Sequence, residues 1–106
     1  MRYPEGVHVV HAGDLDVALH VIVDGEVAVV IDDEQVGVLS RGSFFGEIST
    51  LLEEPASADV IARTPLRCLA LKRDALEELL LEHPRVTLAM LRAEARRLRS
   101  RDDSRT

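Results

Sequence analysis

The chain has 106 residues and a net charge of −6, and 46% of its residues are hydrophobic but only 3% aromatic. This composition predicts one globular domain with an aliphatic core. The sequence contains no apolar run of about 18 residues, so we expect no membrane span. The single cysteine, Cys68, excludes an internal disulfide and favours a reducing, cytoplasmic setting.

The charges are unevenly distributed along the chain. Residues 1–60 carry twelve acidic and two basic side chains, a balance of −10, whereas residues 61–106 carry seven acidic and eleven basic ones, a balance of +4. Because nucleic acids bind through basic surfaces, the acidic half argues against a nucleic-acid partner. An anionic ligand bound in this half would depend on local backbone N–H donors.

Alternating and β-branched segments predict strands through the first two thirds of the chain. The predicted strands cover residues 7–10, 17–23, 26–31, 35–40, 58–62 and 66–71. Asp24-Gly25 separates the second strand from the third and predicts a hairpin, because both central residues of a type I′ turn need a positive φ. Short strands and turn signals at this spacing predict a rolled or closed antiparallel β structure.

The apolar periodicity changes after residue 71 from the alternation of strands to the spacing of helices. One helix is predicted over residues 73–82, and a second over residues 84–101 begins at Pro84. The second helix carries an apolar stripe formed by Leu88, Leu91, Ala95 and Leu98. This stripe fits both packing against the strands and a seam between two copies in a homodimer, and the sequence leaves these alternatives open.

Residues 45–60 are the most informative segment, and they read Phe-Gly-Glu-Ile-Ser-Thr-Leu-Leu-Glu-Glu-Pro-Ala-Ser-Ala-Asp-Val. The segment resembles the phosphate-binding cassette of the cyclic nucleotide-binding domain family. That cassette reads roughly Phe-Gly-Glu-(Leu/Ile)-Ala-Leu and, a few residues later, Pro-Arg-Ala-Ala-Thr-Val. The positions that match without a gap are Phe45, Gly46, Glu47, Ile48, Pro55, Ala58 and Val60. The arginine of the cassette is replaced by Ala56.

The resemblance extends over nearly the whole chain. Domains of this family place a Gly-Asp pair after the first strand, here Gly13-Asp14, and a glycine shortly before the cassette, here Gly42. Residues 22–27 match the family pattern Ile-x-x-Gly-x-Val. The short and long helices that end a family domain match the two predicted helices.

The resemblance implies a fold and a function. The fold is a single domain over residues 1–106, with an antiparallel, jelly-roll-like β-roll over about residues 3–71 followed by two carboxy-terminal helices. The function is regulatory rather than enzymatic: the domain senses cyclic AMP or cyclic GMP, and the long helix around residues 88–91 folds over the base as a lid. The resemblance also implies pairing through the helix of residues 84–101, and an effector domain or protein outside this chain.

The resemblance assigns a role to each part of the cassette. Gly46 would let the backbone approach the ligand, Glu47 would accept a hydrogen bond from the ribose 2′-hydroxyl, and amides near Ile48 and Ser49 would point at the cyclic phosphate. A hydroxyl at the position of Ser57 touches phosphate or base in some relatives. The candidate ligand-binding residues are Phe45, Gly46, Glu47, Ile48, Ser49, Ala56, Ser57 and Ala58.

The replacement of the arginine predicts weakened binding. A guanidinium holds a phosphate through two charge-assisted hydrogen bonds, whereas Ala56 offers none. Losing one such bond costs about 1.5–3 kcal/mol, which is roughly a ten- to hundredfold loss of affinity. Asp59 adds negative charge to the site if a strand directs it to the same side as Ser57. The alternative is a degenerate module that binds no ligand and serves oligomerisation or protein interaction.

The remaining polar residues do not predict a metal site or a catalytic site. His8 and His11 are three residues apart, so a strand would direct them to opposite faces. The His-x-His pair of a cupin-type metal site is missing, and so is any Ser-His-Asp or paired-carboxylate arrangement. We therefore expect neither a bound metal nor an enzymatic activity.

Overall fold

A computed structural model describes the backbone of residues 1–105 and the side chains of residues 1–100. The described residues form eight strands: β1 Arg2–Tyr3, β2 His8–Val10, β3 Leu19–Asp24, β4 Val27–Ile31, β5 Glu34–Leu39, β6 Phe44–Phe45, β7 Asp59–Ala62 and β8 Leu66–Leu71. They also form three helices: α1 Glu47–Leu52, α2 Arg73–Glu82 and α3 Pro84–Arg105. The chain divides into two compact units, and the second begins at Asp74.

The strands form two antiparallel sheets of four strands each. One sheet has the order β1-β8-β3-β6 and the other the order β2-β7-β4-β5. Neighbouring strands are mostly distant in sequence, so the chain passes repeatedly from one sheet to the other, as in a jelly roll. The predicted antiparallel β-roll with helices after it is therefore confirmed.

An apolar core of the first unit draws side chains from both sheets. Its members are Val10, Ile22, Val27, Phe45, Ala56, Val60, Ala62, Leu66 and Cys68. Val27 and Cys68 are completely inaccessible to solvent. Burial also raises the pKa of the Cys68 thiol, which keeps it protonated and unreactive.

The hairpin predicted at Asp24-Gly25 is wrong. β3 and β4 lie in different sheets, so this pair is the corner at which the chain changes sheet. Gly25 has φ +98°, and a Cβ at this position would collide with the carbonyl oxygen of Pro65. The Glu26 N–H donates to Thr64 Oγ1 at 3.0 Å. The packed corner therefore requires the glycine. A hairpin turn requires the same positive φ, so the sequence signal of the two is the same.

The two-residue hairpin lies instead between β4 and β5. Ile31 pairs with Glu34, so the loop consists of Asp32 and Asp33. Their φ values are 51° and 62°, which is the type I′ geometry. Aspartate tolerates the left-handed region better than most residues, so two aspartates form this turn without a glycine.

The short elements are where prediction from sequence failed. β1 and β6 have two residues each, which is too short to produce a period-two pattern.

α3 starts at Pro84 and continues to Arg105, four residues beyond the predicted end. Among the described residues, no helix combines the length and apolar composition required to cross a bilayer.

Candidate functional site

The cassette segment connects the two sheets of the β-roll. It begins at β6, where Phe45 pairs with His20 of β3. It continues through α1 and ends at β7, which pairs with β4 of the other sheet. Both ends of the segment are therefore fixed by strand pairing, and α1 lies between them.

Gly46 starts α1 in a conformation that only glycine adopts easily. It is the residue preceding the helix and has φ 88° and ψ 0°. A Cβ at this position would collide with the carbonyl oxygen of Ala18. The protein's own backbone therefore explains the glycine, in addition to the ligand approach that the family resemblance implies.

Thr50 ties α1 to the segment that precedes β3. Its side chain is 4% exposed. Its Oγ1 lies 2.6 Å from both the Val17 and the Gly46 carbonyl oxygens, and its single proton can donate to one of them at a time. Sequence analysis missed this residue, although a signal existed: the family cassette has leucine where this chain has Thr50.

Glu47 is the first residue of α1, and its side chain is buried at 6% exposure. A carboxylate in the first turn is stabilised by the positive end of the helix dipole. The first backbone hydrogen bond of α1 runs from the Thr50 N–H to the Gly46 carbonyl, at 3.0 Å. The amides of Ile48 and Ser49 precede that bond, so the helix itself supplies no acceptor for them.

Ala56, which the sequence resemblance aligns with the family's arginine, stands in a tight backbone arrangement. Its N–H donates to the Asp14 carbonyl at 2.9 Å, and its own carbonyl accepts from the Gly13 N–H at 2.7 Å. Its side chain is 9% exposed and belongs to the apolar core. The structure therefore places no positive charge at this position.

The expectation that Asp59 adds charge beside Ser57 is wrong. In β7, Val60 and Ala62 are the buried residues, so Asp59 points to the opposite face of the strand. Its Oδ1 accepts a hydrogen bond of 2.7 Å from the Ala12 N–H. Ser57 precedes the strand and is exposed.

His20 connects the cassette to β1. Its ring stacks on Phe45 with centroids 4.9 Å apart and an interplanar angle of 4°. Nδ1 lies 3.0 Å from the Ala18 carbonyl and therefore carries the proton, which leaves Nε2 to accept from the Tyr3 hydroxyl at 3.2 Å. Burial lowers the pKa of His20, and the hydrogen bond to Ala18 opposes this only in part, so the imidazole is held neutral.

The expectation that His8 and His11 point to opposite faces is wrong. Their rings stack with centroids 4.6 Å apart. β2 ends at Val10, so His11 belongs to the following turn, where its N–H donates to Asp14 Oδ2 at 2.9 Å. Within the part of the chain that the structure describes, no cluster of histidine, cysteine and acidic side chains could hold a metal ion.

Arg73 is a second residue that sequence analysis missed. Its Nη1 lies 2.6 Å from Oε1 of Glu53, the residue that ends α1. Both side chains are substantially exposed, so the pair contributes at most about 1 kcal/mol. It nevertheless balances one of the two carboxylates that follow α1.

Comparison with known proteins identifies the class to which this fold and cassette belong. A family model described as "Cyclic nucleotide-binding domain" matches residues 1–83. The chain belongs to the cyclic nucleotide-binding domain family, whose members are regulatory domains.

Two protein kinase relatives match this chain over a small part of their own length. A cGMP-dependent protein kinase of Plasmodium berghei is 37% identical over 79 residues, which cover 74% of this chain and 9% of the kinase. A cAMP-dependent protein kinase regulatory subunit of Mucor circinelloides is 37% identical over 83 residues, which cover 74% of this chain and 19% of the subunit. The chain therefore spans less than a fifth of the length of these relatives.

Solved structures share the fold. The Thermus thermophilus catabolite activator protein superposes with a TM-score of 0.85 at 32% identity, over 96% of this chain and 51% of that protein. A cyclic nucleotide-binding domain from Methylobacillus flagellatus gives a TM-score of 0.83 at 29% identity, over 93% of this chain and 61% of that one.

Replacing Thr50 by valine should weaken the attachment of α1. Valine keeps the shape but removes the hydroxyl that donates to the half-buried Val17 carbonyl, so the free energy of unfolding should fall by about 0.5–1.5 kcal/mol. Thr50→Ser retains the donor and should lose less. Urea unfolding of both variants measures the difference, and equal losses would show that packing, not the hydrogen bond, holds the helix.

Burial of His20 should make stability depend on pH. Since its folded pKa lies below the usual value near 6.5, the unfolded chain binds a proton first as the pH falls below about 6.5. The free energy of unfolding should therefore decrease towards the folded pKa, by at most about 1.4 kcal/mol per pH unit. His20→Gln should remove this component, whereas His83→Gln, at an exposed histidine, should retain it. Urea unfolding between about pH 7.5 and 5 tests this, and an unchanged slope in His20→Gln would contradict it.

Proposed function

We propose that this domain is a regulatory sensor that binds cyclic AMP or cyclic GMP weakly, because Ala56 replaces the phosphate-binding arginine of the cassette. The observation that carries the proposal is a cassette with an intact backbone and a missing charge. Gly46 still makes the left-handed turn into α1, and Glu47 is still buried there. A wholly unused cassette would have no need to keep a buried carboxylate, which is costly to desolvate.

The retained residues define how the ligand would be held. Glu47 would accept the ribose 2′-hydroxyl, and the amides of Ile48 and Ser49 would donate to the cyclic phosphate. Ala58 and Val60 would line the sugar and base. Ser57 is exposed, so its hydroxyl would reach the ligand only from the rim of the site.

The missing guanidinium sets the expected strength of binding. Without it, the phosphate depends on neutral backbone donors, which are worth about half as much as charge-assisted ones. The net charge of −10 over residues 1–60 further opposes an anion. We therefore expect affinities about ten- to hundredfold weaker than those of a cassette with the arginine.

The output of the sensor would be a shift in the population of positions of α3. Leu88 and Leu91 are 46% and 61% exposed on this helix, while Ile48 and Leu52 are 47% and 60% exposed on α1. A ligand that lets α3 close over the base as a lid would favour states in which such apolar surfaces are covered. The effector would be a domain or protein beyond this segment, in a cytoplasmic setting consistent with the lone, buried Cys68.

The second candidate function is a module that binds no nucleotide and acts in oligomerisation or protein interaction. The exposed leucines of α3 favour it, because a stripe that remains accessible can form a homodimer seam over residues 84–101. In that case the core position of Ala56 would represent a site filled by the protein itself.

Calorimetric titration with both cyclic nucleotides separates these candidates. The natural chain should bind at least one of them weakly, and Ala56→Arg should raise the affinity at least tenfold, about 1.4 kcal/mol, by restoring the charge-assisted bonds. Gln35→Arg is the matched control: it introduces the same side chain at an exposed position of β5, the edge strand of the other sheet, and should change nothing.

Two outcomes would contradict the sensor. If neither the natural chain nor Ala56→Arg gives a binding heat at millimolar ligand, the interaction module is favoured. Sedimentation should then show a dimer. An equal gain in Ala56→Arg and Gln35→Arg would mean that added positive charge, rather than a restored clamp, attracts the nucleotide.

A further inference from the structure

A shallow groove of about 550 Å³ lies on the sheet formed by β1, β8 and β3, and two arginines line it. These are Arg2 of β1 and Arg67 of β8. The groove is remote from the cassette: the cassette meets β3 at His20, whereas the groove meets it at Asp24, about 13 Å further along the strand. It is therefore a second surface, linked to the cassette only through Tyr3, whose hydroxyl contacts His20 beneath Phe45.

The two arginines oppose each other directly. Arg2 pairs with Arg67 in the register of β1 and β8, so both side chains leave the same face of the sheet. Like charges in this position destabilise a sheet. Asp24 is the register partner of Arg67 on the other side, so the three side chains together carry one net positive charge.

The surroundings make this excess informative. Arg2 is one of two basic residues in the first sixty, where the balance is −10. Both arginines are exposed, and among the described residues neither forms an ion pair within 4.0 Å. An opposed pair of guanidiniums that weakens the sheet is more readily explained by an anion supplied from outside than by stability.

Besides the two arginines and Asp24, the groove is lined by Tyr3, Pro4, Pro65 and Leu66. Pro4 and Pro65 restrict the backbone on either side. The Tyr3 ring is held through its hydroxyl, 3.2 Å from His20 Nε2. A small anion on this open surface would remain largely in water, where a single charge pair is worth little. A peptide with several carboxylates would contact both guanidiniums together.

We propose that this groove docks an acidic segment of a partner protein, whose Asp or Glu carboxylates bind Arg2 and Arg67. The recognition is that of an arginine pair for carboxylates, with two parallel N–H donors from each guanidinium. Such a contact gives the domain a protein partner on a face that the nucleotide does not use.

The test uses a fluorescein-labelled hexaglutamate peptide and fluorescence anisotropy at low ionic strength. The double variant Arg2→Gln/Arg67→Gln should bind the peptide at least tenfold more weakly than the natural chain. The control Arg41→Gln/Lys72→Gln removes the same charge from exposed positions elsewhere in the first unit and should stay within about twofold. Urea unfolding of the groove variant should show unchanged or higher stability, because like-charge repulsion is removed.

Three results would overturn the proposal. If the peptide does not bind to the natural chain, an acidic segment is excluded as the partner of this groove. Equal weakening in both double variants would indicate non-specific attraction to basic residues. Competition by inorganic phosphate as effective as that by unlabelled hexaglutamate would indicate a small-anion site instead of a peptide-docking groove.

Discussion

The cassette depends on one close approach, that of Gly46 to the Ala18 carbonyl. Only a hydrogen fits between them, and the left-handed φ of Gly46 directs the chain from β6 into α1. Thr50 then fixes α1 to the neighbouring Val17 carbonyl. The same Ala18 carbonyl accepts from His20, whose ring supports Phe45. The carbonyls of Val17 and Ala18, just before β3, thus position the first turn of α1 at Gly46 and at Thr50.

The carboxy-terminal part of the cassette, at Ala56, is fixed by backbone hydrogen bonds and carries no charged side chain at that residue. Ala56 exchanges two backbone hydrogen bonds with Gly13 and Asp14, and its methyl group enters the apolar core. In the proposed alignment with the family's arginine, the backbone at this position is held in place and only the guanidinium is replaced. This separation of geometry from charge is the physical basis for expecting a weak ligand rather than a misformed site.

Sequence patterns predicted the features that depend on repetition or on a long motif. The six longer strands before α2 follow from periodicity, and the start of α3 at Pro84 follows from helix chemistry. The membership of the family follows from the resemblance that the sixteen residues of the cassette carry. The hairpin at Asp24-Gly25 failed because a turn signal specifies a positive φ but not which strands pair. Asp59 failed because the strand starts there, and Ser57, two residues earlier, lies outside it. The roles of Thr50 and His20 depend on contacts across 33 and 17 residues, which local patterns do not encode.

The most direct test of the cassette is to map backbone amide chemical shifts by nuclear magnetic resonance while cyclic AMP or cyclic GMP is added. If the N-terminal turn of α1 receives the phosphate, the largest changes should fall on the amides of Ile48 and Ser49, with smaller ones at Ala58. Saturable changes that leave residues 45–58 unaffected, and centre on another surface of the β-roll, would contradict this account.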